Sequence, residues 1–93
     1  MDKPVPTQMS DDEFQAFLEE NEYTNIRKLP DGTWAALIRL AFTIGMCTGL
    51  TEYGLERRFC YNNLTDALAA LQTLNAWDDE PEKIYVARRP KYE

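Results

Sequence analysis

Histidine is missing from this 93-residue chain. Its absence removes the side chain that most often serves as general base and as metal ligand near neutral pH. Cysteine is sparse: Cys47 and Cys60 stand alone, without CxxC spacing. Neither a four-ligand zinc site nor a thioredoxin-type redox motif can be assembled from them. Glycine is scarce as well, and none of the four residues belongs to a Walker loop, a GxGxxG fingerprint or a GxSxG elbow. No apolar run reaches the ~18 residues that a membrane span requires. The longest, Trp34 to Leu50, is broken by Arg39, and the leading MDKPVPTQMSDDE lacks the apolar centre of a signal peptide. The expectation is a cytoplasmic chain without membrane contact, in a compartment that keeps thiols reduced. The acidic run Asp78-Asp79-Glu80-Pro81-Glu82 lacks the alternating ligands of a calcium loop and reads as a solvated helix end. With no catalytic constellation in view, the chain reads as a non-enzyme with no cofactor and no metal.

What is present is core material. A hydrophobic fraction of 44% and an aromatic fraction of 12% suffice for one packed domain and argue against disorder. The net charge of −6 is unevenly spread. Residues 1–22 hold seven acids and one base, and residues 64–82 hold five acids and no base. Residues 23–63 and 83–93 lean basic, so expected helices are acidic and expected strands basic. That split allows an acidic face and a basic one, or simply solvated helix surface.

Local signals give an element order. Residues 1–9, with two prolines, read as a flexible tail ahead of one domain over 10–93. Ser10-Asp11-Asp12-Glu13 is a capping box with Met9 and Phe14 as its staple, so a helix should run over 11–21 with Phe14, Phe17 and Leu18 inward. Asn25 to Leu29 reads as a short strand and Pro30-Asp31-Gly32 as a turn. From Thr33 a period-two pattern places Trp34, Ala36, Ile38, Leu40, Phe42 and Ile44 on one side. The run to Thr51 is too long for one strand, which predicts a bend near Leu40–Phe42 or two strands. Asn63 should cap a second helix whose stripe is Leu64, Ala67, Leu68, Leu71 and Leu74, extended by Trp77, and Lys83 to Arg88 reads as a last strand. The sum is a small α+β domain, α-β-β-β-α-β, with a mostly antiparallel sheet and both helices packed on one face.

Phe42 to Tyr61 reads as a hairpin. With Tyr53 and Gly54 as its turn, Cys47 falls opposite Cys60. Phe42, Ile44, Met46, Leu50, Leu55, Phe59 and Tyr61 then form an apolar face. Gly45, Cys47, Gly49, Arg58 and Cys60 form a second face of small and polar residues. Reduced, packed thiols are the expectation there, a cross-strand disulfide the alternative. The two glycines admit either close packing within the domain or a flat shelf for a partner. These five residues are the candidate partner-contact strip.

Several short segments carry a resemblance. They are Asp31-Gly-Thr-Trp-Ala-Ala-Leu37, Phe42-Thr-Ile-Gly45, Gly49-Leu50, Tyr53-Gly54, Arg58-Phe-Cys-Tyr61, Asp66-Ala-Leu-Ala-Ala-Leu71 and Trp77-Asp78. Over residues 25–80 the chain resembles small uncharacterised proteins encoded by tailed bacteriophages and prophages. It departs from them at Asp79-Glu-Pro-Glu82, where they carry a glycine-rich stretch. The resemblance implies no catalytic residue. It implies an accessory role: binding a host protein in the host cytoplasm, and modulating or inhibiting it, host defence included. A structural homo-oligomer, such as a homodimer, is the first alternative. A nucleic-acid-binding or nucleic-acid-mimicking module is the second; the net charge of −6 weighs against nucleic acid as a ligand.

Overall fold

A computed structural model describes residues 3–81. The expected strand over Lys83–Arg88 lies outside the described residues. Two helices and four strands follow in the order α1 (Asp11–Glu20), β1 (Tyr23–Lys28), β2 (Trp34–Arg39), β3 (Ile44–Thr48), β4 (Arg57–Tyr61) and α2 (Leu64–Thr73). The strands form one antiparallel sheet in the order β1-β2-β3-β4, so the chain is an α+β domain.

Helix starts follow the local code. Ser10 Oγ accepts the Glu13 amide while the Glu13 carboxylate accepts the Ser10 amide, and three acids occupy the first turn of α1. Asn63 Oδ1 accepts the Asp66 amide at 2.8 Å and opens α2. No base sits in the last turn of α2. Arg27, reaching from β1, fills that role: its Nη1 donates to the carbonyls of Leu71 and Leu74, both at 2.8 Å.

Each turn sets a register. At Pro30-Asp31-Gly32, Gly32 takes a φ of +93° and its amide donates to Leu29. Asp31 Oδ1 accepts the amide and hydroxyl of Thr33, while Oδ2 accepts the Trp77 amide. The turn is thereby pinned to the segment after α2. The long extended run does break into two strands, where Leu40 N donates to Thr43 O at 2.9 Å across a turn centred on Ala41 and Phe42. A β-bulge between Thr24 and Arg27, with Asn25 at φ +51°, lets Tyr23 and Ile26 share a face despite their odd spacing.

The two helices cover opposite faces of the sheet, not one face as expected. Ala35, Leu37, Met46 and Tyr61 pack under Ala67, Ala70 and Leu71 of α2. The alternate residues Trp34, Ala36 and Cys47 pack under Phe14 and Leu18 of α1. Phe14 meets Trp34 edge-on at 5.2 Å between ring centroids. The cause is that β2 and β3 are apolar on both faces, so each face needs its own cover. Among the described residues no helix is long and apolar enough to cross a membrane.

Candidate binding surface

The hairpin register differs from expectation by two residues. Ile44 faces Tyr61, Gly45 faces Cys60, Met46 faces Phe59 and Cys47 faces Arg58. The turn is centred on Glu52 and Tyr53, closed by Thr51 and Gly54, whose amides and carbonyls bond reciprocally. Gly54 is the closing residue, at φ +145°, and not a central one. Thr51 Oγ1 accepts the Tyr53 amide and tightens the turn. A two-residue shift preserves side-chain parity, so the Cys face and the Met46 face keep most of their members. The direct Cys47–Cys60 pairing is lost. They become diagonal neighbours, about 7–8 Å apart, beyond the span of a disulfide without backbone movement. Both thiols are free.

Three residues leave the expected apolar face. Phe42, central in its turn, is 94% exposed. Leu55 lies beyond the closing pair and is exposed. Leu50 crosses to the α1 side, because Gly49 at φ +67° redirects the chain and the Leu50 amide then bonds to Trp34 O. That same bend lays the Thr51–Gly54 turn back over the sheet beside α1.

The five residues of the expected contact strip therefore part company. Gly45, Cys47 and Gly49 are buried, Cys60 is half-buried and Arg58 is exposed. Space explains both glycines. A Cβ on Gly45 would stand 3.2 Å from Arg58 Cδ, whose side chain lies across it; one on Gly49 would stand 2.7 Å from Glu56 Cγ and 3.1 Å from Pro4. The glycines permit packing within the domain and offer no open shelf. Burial pushes the Cys47 thiol up to about 11, with the Arg58 charge and a hydrogen bond to Tyr23 working partly against it. It is a protonated, inert core thiol. Tyr23 titrates above its ordinary value, first through its own burial and then through Cys47.

The open part of this face lies beside the returning turn. Between α1 and Thr51–Gly54 runs a groove of about 290 Å³, walled by Phe17, Tyr23, Ile38 and Tyr53 with Glu52 at its margin. Tyr53 is 87% exposed. Glu52 Oε2 accepts the Thr7 hydroxyl at 3.3 Å. Its Oε1 is shielded from solvent and meets no donor among the described residues. Residues 3–9 help hold this region: the Lys3 ammonium donates to Asp31 O at 2.6 Å and Met9 packs against the α1-side core. A second, smaller groove of about 190 Å³ lies under Phe42, lined by Arg39 and Leu64 among others.

Sequence reasoning missed this groove. Its signal was the aromatic inside the turn segment Glu52-Tyr53-Gly54: a position that cannot reach the core is a costly place for a large apolar ring. No group of three or more cysteine and carboxylate side chains able to hold a metal occurs among the described residues. Comparison with protein-family models, with curated proteins and with solved structures finds no match to this chain.

Proposed function

We propose that the chain is a small accessory protein of the phage type that binds a host protein and modulates or inhibits it by contact, without catalysis. One observation carries the reading. The turn before β3 and the turn after it each hold an aromatic at the second central position, Phe42 and Tyr53, at 94% and 87% exposure. Turn geometry asks for small or polar residues at such positions, so these rings serve no need of the fold. Large rings projecting from tight turns lose little rotamer freedom on docking and are the side chains that anchor protein contacts. The acidic surface of α1 beside Tyr53 adds a charge preference, which speeds and orients encounter more than it tightens it.

The test is affinity capture from host-cell lysate with the intact chain and with the Phe42→Ser, Tyr53→Ser double variant, followed by mass spectrometry. The expected result is a host protein retained by the first and lost by the second, with identical circular dichroism. Self-association alone, or equal capture by both, would contradict the proposal.

A further inference from the structure

We infer that the groove between α1 and the Thr51–Gly54 turn receives an arginine side chain of the partner protein, flanked in the partner by apolar residues. The inference rests on the contact reading above and names the chemistry of its partner.

Three features converge. The first is the aromatic lining: Phe17, Tyr23 and Tyr53 all contribute to one groove. Aromatic faces attract a guanidinium through their quadrupole, and a planar cation stacks on them with little loss of hydration. The second is the carboxylate. Glu52 is the one charged residue of the lining, and its negative charge complements a cation entering the groove. A hydrogen bond from a guanidinium to a carboxylate is among the stronger polar contacts. A guanidinium brings five N–H donors in a fixed fork. The third is the field. The helix that forms one wall carries Asp11, Asp12 and Glu13 in its first turn and Glu19 and Glu20 in its last. Lys28 pairs with Asp11 at 3.0 Å, and Arg58, whose charge is felt at Tyr23, lies across Gly45; neither lines the groove.

Size agrees with the assignment. The groove of about 290 Å³ is larger than the ~150 Å³ cavity that holds benzene, which leaves room for a guanidinium and its methylene stem. Ile38 supplies the apolar floor on which the stem and neighbouring partner side chains would rest. Phe42's own groove, lined by Arg39 and no acid, lacks this chemistry.

The probe is an acetylated, amidated heptapeptide with one arginine between leucines, titrated into the ¹⁵N-labelled full chain. Its control carries citrulline, the neutral isostere, in place of arginine. Saturable shifts at Phe17, Tyr23, Ile38 and Tyr53 are expected. Binding should weaken about tenfold or more for citrulline and for Glu52→Gln, the loss of one charge-assisted hydrogen bond. Tyr53→Ala should weaken it about threefold or more, the loss of one cation–π contact, and being exposed it leaves the fold intact. Equal binding of the citrulline peptide, shifts elsewhere, or no shifts would overturn the inference. So would a dimer in the sedimentation profile that Glu52→Gln dissociates, since a second copy would then own the groove. Loss of peptide binding with host capture intact removes this inference alone. Loss of host capture with peptide binding intact removes the contact reading alone.

Discussion

The two faces of the sheet are built from alternate residues of the same strands, yet they are closed in different ways. On one face a single helix, α2, lies across β2, β3 and β4, and the core beneath it, Ala35, Leu37, Met46 and Tyr61, is fully buried. On the other, α1 lies mainly on β1, and the rest of the cover is assembled from a returning turn and residues 3–9. Cover made from one piece opens at its end, where α2 begins beside the Phe42 turn. Cover made from several pieces leaves a seam along the join, and the seam here is the groove lined by Tyr53 and Glu52. The difference separates a face closed for stability from the more open one that the proposed contact would use.

The largest expected effect sharpens this contrast. Leu37→Ala, in the closed face at 0% exposure, should cost about 3 kcal/mol of unfolding free energy, measured by urea titration. Phe17→Ala, in the seam and only partly buried, should cost about 1 kcal/mol despite its larger ring. Equal losses would erase the distinction between the faces.

Gly49→Ala comes next. It forces an L-residue to φ +67° and drives Cβ to 2.7 Å from Glu56 Cγ, so a loss of about 2 kcal/mol is expected, with the returning turn displaced. A neutral outcome would show that the turn does not need this bend to lie beside α1.

Thr48 lies in the closed face at 0% exposure, and its hydroxyl finds no partner among the described residues. Thr48→Val keeps the shape and removes the buried hydroxyl, so the midpoint should rise by about 1 kcal/mol in free energy. A loss would mean that the hydroxyl is satisfied in solution.

The smallest effect appears in acid. Partial burial pushes the Asp31 carboxyl up, but the Thr33 hydroxyl and amide, the Trp77 amide and Lys3 outweigh it and hold it below its ordinary value. The native state thus binds fewer protons than the unfolded chain in this range. The stabilisation is whole above about pH 4, the ordinary carboxylate value, and is lost as pH falls through the folded value. Urea midpoints followed from pH 5 to 2 should drop less for Asp31→Asn than for the parent chain. Parallel curves would exclude Asp31 as a pH-sensitive pin between the first turn and the segment after α2.

Much of this architecture was legible where its cause is local. Ser10 with Glu13, Asn63 with Asp66, and Pro30-Asp31-Gly32 each satisfy their own backbone within a few residues, and all three form as read. The break near Leu40–Phe42 followed from strand length alone. What failed depends on partners distant in sequence. Nothing within Asp11–Glu20 states which face α1 will cover; that is decided by Trp34, Ala36 and Cys47, which need a lid as much as Leu37 and Met46 do. Moving the turn centre from Tyr53-Gly54 to Glu52-Tyr53 leaves parity intact, so the face assignments held within the paired strands, while Phe42, Leu50 and Leu55 left theirs and Cys60 lost its expected partner. Of the expected contact strip, Arg58 and Cys60 retain solvent access, while Gly45, Cys47 and Gly49 serve the interior. The groove was invisible because its walls come from α1, β1, β2 and a turn, which no single sequence window unites.

The central claim, a closed face for stability and a seam for contact, is tested most directly by amide hydrogen exchange of the chain alone and with the host protein that the proposed capture experiment is expected to retain. Added protection is predicted in α1 from Phe17 to Glu20, in the turn from Leu50 to Leu55 and in the turn around Phe42, with exchange in α2 beyond Leu64 unchanged. Protection confined to α2, with both turns exchanging as freely as in the isolated chain, would contradict it.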